Sequence, residues 1–296
     1  MLHLVRATWR GSCFVFVTLT LACASCEGAR PVHTDVSYDD RFGEATTMDI
    51  YEPGGVGPHP TVMLIHGGAW VTGSKDAYTE AAKRLARSGF VAATINYRLA
   101  PDGEYPKIMQ DCLCALSYLR ASASHYHVDQ DRIAVWGYSA GGHLASLVGV
   151  AAEDDYHAPD CAWGRTGPPR SVIAGAGAHD LRGQDHFFTH AFFGAGPDEQ
   201  PDRYARASPI THVRPGLPPF LFVHGTQDWF IEEEQAVVMR DALVAAGNEA
   251  HVYEVAGGGH VTQTTPDGNL VGGVSDQTTE GWLVVIDFLD RTLRKQ

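Results

Sequence analysis

The chain has 296 residues, a formal net charge of −13, 44% apolar residues and 19% charged residues. That length and balance suit an ordinary globular protein with room for a sizeable core. The acidity, with no basic stripe to interrupt it, excludes a nucleic-acid binder that works by displacing phosphate counterions. It also disfavours anionic membranes and polyanions as partners.

Residues 1–26 read as a leader. Arg6 and Arg10 precede the apolar run from Cys13 to Cys23, and Ala22, Ala24 and Ser25 offer small residues for cleavage. The run is too short to span a bilayer. Export is therefore expected, to the periplasm, to the exterior, or to a membrane face through a lipid on Cys23 or Cys26. The residues before both cysteines fit a lipoprotein leader poorly. Residues 27–296 are expected to fold as one domain, since no repeat, linker or low-complexity tract divides them.

Beyond the leader, strand and helix patterns alternate. His33–Tyr38 and Thr46–Tyr51 alternate polar and apolar residues as edge or hairpin strands do. Thr61–Ile65 is continuously apolar, the pattern of a strand buried on both faces. A helix is predicted over Asp76–Ser88, a strand over Phe90–Tyr97 and a helix over Ile108–Ala121. Strands follow at Ile133–Gly137, Val172–Ala176, Phe220–Val223 and Val252–Val255, with helices over Gly142–Val150, Glu232–Ala246 and Glu280–Leu293. Repeated β-then-α units point to one mainly parallel sheet with helices on both faces. Two long connections, Ala151–Arg170 and Leu181–Pro218, are candidate lids or pocket walls, and Val261–Asp276 is a third long loop. Only Cys112, Cys114 and Cys161 lie beyond the leader, without zinc-like spacing. Buried thiols are the default expectation, with a disulfide to Cys161 as the open alternative.

The segment Gly137-Tyr138-Ser139-Ala140-Gly141 falls where a strand pattern turns into a helix pattern. Small residues on either side leave room for a strained serine there, and the helix behind it aims free N–H groups at any oxyanion that forms. A serine alcohol needs a base, and the base needs an orienting acid. In the order serine, acid, histidine, only His251 and His260 follow the plausible acids. His251 opens a strand, whereas His260 follows three glycines and can be aimed back, so His260 is the candidate base. Asp228, on the turn after Phe220–Val223, is the favoured acid, and Asp180 its rival. His66-Gly67-Gly68-Ala69-Trp70 follows the buried strand. Its glycines let the backbone approach a ligand, so Gly67 and Gly68 join Ala140 as oxyanion donors.

Trp70, Tyr138, Asp180, Phe187, Phe188 and Trp229 are candidate substrate contacts. Phe187, Phe188, Phe192 and Phe193 suit core packing equally well. His186 and His190 have a spacing that could bind metal on a helix, but no glutamate accompanies them as in a metalloprotease, and no metal is expected. Arg98 reads as an ion-pair partner. No glycine-rich phosphate cradle is present, and no cofactor is expected.

Taken together, these residues resemble the α/β-hydrolase superfamily, and within it the small esterases of the hormone-sensitive-lipase-like and feruloyl/acetyl-xylan-esterase-like groups. The matching stretches are Met48–Pro53, His66–Trp70, Asn96–Pro101, Gly137–His143, His224–Asp228 and Gly259–His260. The resemblance implies a mainly parallel eight-stranded sheet and a serine hydrolase of short-acyl or aryl (acetyl- or feruloyl-type) esters. It assigns Ser139, Asp228 and His260 as the triad and Gly67, Gly68 and Ala140 as the oxyanion hole. An aryl formamidase-type amide hydrolase and a non-catalytic binding member of the fold are the alternatives. Ala69 replaces the third glycine of many lipase-like members, and Tyr138 stands where an acidic residue is frequent.

Overall fold

The computed structural model describes residues 32–260 and 279–294. The leader, with Cys23 and Cys26, and the loop Val261–Asp276 lie outside the described residues. Eight strands form one sheet: β1 (Val32–Ser37), β2 (Thr47–Tyr51), β3 (His59–Ile65), β4 (Val91–Ile95), β5 (Val128–Tyr138), β6 (Ser171–Gly175), β7 (Phe220–Gly225) and β8 (Ala250–Val255). Their spatial order is β1-β2-β4-β3-β5-β6-β7-β8. β2 pairs antiparallel with β1 and β4, and every other pair is parallel.

Among the described residues seven α-helices accompany the sheet: α1 (Thr79–Arg87), α2 (Lys107–Ala121), α3 (Ala140–Ala151), α4 (Phe187–Phe193), α5 (Pro201–Ala207), α6 (Glu234–Ala245) and α7 (Thr279–Leu293). The continuous apolar runs are explained by what covers them. Met63, Ile65, Ile133 and Val135 point to a core shared with α2, α3 and α6, whereas Val62, Leu64, Ala134 and Trp136 point to a core shared with α1 and α7. Successive residues of a central strand are thus buried on opposite faces, the valines, leucines, isoleucines and methionines each contributing about 1.5–3 kcal/mol by leaving water. None of the helices among the described residues is long and apolar enough to cross a membrane.

Three expectations are revised. The strand predicted over Phe90–Tyr97 ends at Ile95, because Asn96 turns to accept the Lys75 N–H on its side-chain oxygen at 2.7 Å while its own N–H reaches Thr47 O at 2.8 Å. The connection 181–218 is not an open loop. It folds into α4 and α5, each only seven residues long, with His186 capping the first turn of α4 through the Thr189 N–H. Finally, the default of buried free thiols fails for two of the three cysteines. Cys114 on α2 is disulfide-bonded to Cys161 across a Cα separation of 6.1 Å, and Cys112 alone of the three is free and buried.

Candidate active site

The parallel strands all end on one edge of the sheet, and the loops leaving β3, β5, β7 and β8 meet there. Open α/β sheets bind ligands on this side. Ser139 follows β5 directly and takes φ 56° and ψ −123° before α3 begins. The turn is feasible because its flanking residues lack side chains. A Cβ on Gly137 would sit 2.0 Å from Gly141 O, and one on Gly141 would sit 2.0 Å from Ile65 O. The Ser139 N–H is anchored to Gly175 O of β6 at 2.8 Å, and the His143 N–H closes the first helical turn on Ser139 O at 3.0 Å.

Asp228 and His260 reach Ser139 because the turns after β7 and β8 are knitted together. Thr226 N–H donates to Val255 O at 3.1 Å, Gln227 N–H to Gly258 O at 2.7 Å, and Gly257 N–H to Thr226 Oγ1 at 2.8 Å. Gly225 allows this approach, since a Cβ there would lie 2.3 Å from Gly258 O. In the result His260 Nε2 lies 3.0 Å from Ser139 Oγ and His260 Nδ1 lies 2.8 Å from Asp228 Oδ2. Asp228 Oδ1 accepts the N–H groups of Phe230 and Ile231, both at 2.9 Å.

His224, four residues before Asp228, was not singled out from sequence. Its fully buried ring places Nε2 2.8 Å from Ile231 O and 3.3 Å from Asp228 Oδ2. The spacing of four from a strand end to the acid was the available signal. Burial alone would raise the Asp228 carboxyl. The hydrogen bonds from His224, His260 and the Ile231 N–H outweigh it and hold the group well below the usual carboxylate range.

A cavity of about 470 Å³ opens beside Ser139, lined in part by Ala69, Trp70, Ala140, Phe187, Phe188 and Trp229. Gly67 packs behind it: a Cβ there would meet Tyr138 O at 2.9 Å and Ser139 Cβ at 3.2 Å. Gly68 at φ 115°, Ala69 at φ 51° and Trp70 at φ 64° form a left-handed turn beside the serine, closed by Val71 and Thr72 N–H groups on Gly68 O, each at 3.0 Å. The positive φ at Ala69 accounts for the glycine that many lipase-like members carry there. Trp70 is fixed by stacking on Phe192 at 4.5 Å and by donating its indole N–H to His143 Nδ1 at 3.2 Å.

Two of the candidate substrate contacts are placed elsewhere. Tyr138 is buried and lies behind His260, with its ring against Gly175 and 5.6 Å from the imidazole. Asp180 is held by Arg182 through two bonds of 2.9 and 2.6 Å, which lower its carboxyl, and it does not reach His260. Of the two connections singled out, 181–218 lines the cavity and 151–170 does not. The latter instead carries Cys161 and the Trp163 indole, which donates to Tyr38 O at 2.7 Å. Among the aromatic candidates, Phe187 and Phe188 face the cavity while Phe192 and Phe193 are core residues. Arg98 grips Asp111 at 2.6 Å, and His190 pairs with Asp185. Among the described residues, no three His, Cys, Asp or Glu side chains are grouped to hold a metal ion.

Several known proteins are similar to this chain. The BD-FAE family profile matches residues 48–243. Esterase LipC of Mycobacterium tuberculosis is 33% identical over 69% of this chain and 53% of its own length. A truncated carbohydrate esterase from gut microbiota superposes with a TM-score of 0.78 at 24% identity, covering 90% of this chain and 97% of that one. A bifunctional GH43-CE protein of Bacteroides eggerthii gives 0.77 at 26% identity, over 88% of this chain and 38% of that one. The chain spans about half the length of the curated relatives it matches first. With an α/β-hydrolase sheet, a serine at the strand-to-helix turn and a profile match over most of its length, the chain belongs to the BD-FAE family.

Proposed function

We propose that the protein is a serine carboxylic-ester hydrolase acting on short-acyl or aryl esters. The observation that carries this reading is the continuous hydrogen-bond chain from Ser139 Oγ through His260 to Asp228 at the edge of an aromatic-lined cavity. In this reading Ser139 Oγ attacks the ester carbonyl as His260 Nε2 takes its proton. The resulting oxyanion is held by the backbone N–H groups of Gly67, Gly68 and Ala140. His260 then returns the proton to the departing alcohol, leaving an acyl-serine, and next draws a proton from the water that cleaves it. Asp228 fixes the imidazole with its Nδ1–H turned inward and offsets its transient charge. The cavity volume supports small substrates.

Residues 27–296 are read as the catalytic domain behind an exported leader over 1–26. The Cys114–Cys161 disulfide supports export, because such bonds persist in oxidising compartments. The test is turnover of p-nitrophenyl acetate by the wild-type protein and by Ser139→Ala. The substitution should lower kcat by about 10³-fold or more, and a fluorophosphonate should label the wild type alone. A near-wild-type rate in Ser139→Ala would end this reading. A formyl-anilide turned over faster than the acetate would move it to the amidase type.

A further inference from the structure

We infer that the cavity beside Ser139 selects esters that carry a cationic, ammonium-type group; this rests on the ester-hydrolase reading above. The basis is a set of rings running outward from the base. Phe230 lies 4.9 Å from the His260 ring, Phe188 lies 6.0 Å and Trp229 5.8 Å from Phe230, and Phe187 lies 5.5 Å from Phe188. The outermost rings are bare, Trp229 being 84% and Phe187 75% exposed.

Glu232, an exposed residue, also lines the cavity, and among the described residues lining it there is no lysine or arginine. An uncharged apolar group could use the rings but gains nothing from Glu232, and an anionic one would be repelled by it. A weakly hydrated ammonium group can use both. Ring faces attract it through their negative quadrupole, and the carboxylate adds its charge. The net charge of −13 further favours the approach of cations from solution. Hydrolysis of such an ester adds one water across the acyl–oxygen bond, releasing a carboxylic acid and an amino alcohol.

Acetylthiocholine and its uncharged carbon isostere, S-(3,3-dimethylbutyl) thioacetate, separate charge from shape. The kcat/KM of the cation should exceed that of the isostere by about fivefold or more at low salt, and the ratio should fall as salt rises. Glu232→Gln should lower that ratio by about threefold or more. Glu80→Gln, which removes the same charge from the exposed face of α1, should leave it unchanged. A smaller starting ratio, or a ratio insensitive to Glu232→Gln, overturns the inference. Choline and 3,3-dimethylbutanol are then titrated against Ser139→Ala by tryptophan fluorescence. Tighter binding of choline, with neither thioester hydrolysed by the wild type, would remove the hydrolase reading and keep the cation site. Equal hydrolysis and equal binding of the pair would do the reverse.

Discussion

Replacing Asp228 by Asn removes one charge while keeping the shape, and the structure fixes how the amide must sit. Oδ1 of Asp228 accepts two backbone N–H groups at 2.9 Å, so the amide oxygen of Asn must take that position. Its NH₂ group then occupies the place of Oδ2, 2.8 Å from His260 Nδ1 and 3.3 Å from His224 Nε2. His260 can meet an NH₂ donor only by shedding its Nδ1 proton and carrying it on Nε2. In that tautomer it presents a donor to Ser139 Oγ and cannot accept the serine proton. Loss of the base in this way costs about 10⁴-fold in kcat, or about 5–6 kcal/mol of transition-state stabilisation. His224 Nε2 already donates to Ile231 O, so an opposing NH₂ also destabilises the fold by about 1–3 kcal/mol. The assay is kcat for p-nitrophenyl acetate with a thermal melt on the same sample, and Asp180→Asn as comparison, expected within about threefold of wild type because Asp180 is spent on Arg182. An Asp228→Asn enzyme within tenfold of wild type would refute the tautomer argument. An Asp180→Asn enzyme that lost activity instead would transfer the acid role.

Other outcomes follow from contacts of different kinds. Gly67→Ala has an ordinary backbone conformation to occupy but no space, with Tyr138 O at 2.9 Å and Ser139 Cβ at 3.2 Å from the new carbon. Displacing Ser139 by a fraction of an ångström should lower kcat by about 10–100-fold with the melting temperature little changed, and an unaltered kcat would show that the turn yields. Cys161→Ser opens a crosslink spanning 47 residues, which loop entropy values at about 4 kcal/mol. Its melting temperature should fall by about 10 °C while kcat at 25 °C stays within about twofold, and a melt unchanged by the substitution or by reductant would refute this. Acid should destabilise the fold. Burial lowers His66, His143 and His157 to about 4, and it also lowers His179 well below the usual histidine range. These histidines titrate near ~6.5 when unfolded. Between those values the unfolded chain binds more protons, so stability is complete above about pH 6.5. Below that it falls by up to about 1.4 kcal/mol per pH unit for each histidine. Urea melts at pH 7 and pH 5 measure this, and equal stability at the two would contradict it.

Local chemistry made the Ser139 turn and the sheet readable from residues alone. Gly137 and Gly141 bracket Ser139 because no side chain fits there, and Thr61–Ile65 is continuously apolar because both of its faces are covered. Such constraints act over a few residues and leave their mark in composition and period. α4 left no comparable mark, and α5 left only the proline at its first position. Seven residues give too few turns for a period, and the cap of α4 is a histidine rather than the serine, threonine or aspartate that usually announces a helix.

What the chain determined by itself is therefore the α/β order, the serine turn and the set of residues able to serve it. Tertiary structure alone decided among them. Asp228 rather than Asp180 meets His260 because the turns after β7 and β8 bond to one another, a contact between segments some thirty residues apart that neither encodes separately. Phe187 and Phe188 line the cavity while Phe192 and Phe193 enter the core because the docking of α4 fixes its rotation. Cys114 rather than Cys112 bonds to Cys161 because their neighbouring positions on α2 face different directions. Each of these outcomes depends on which surface packs against which, and that is a property of the whole fold.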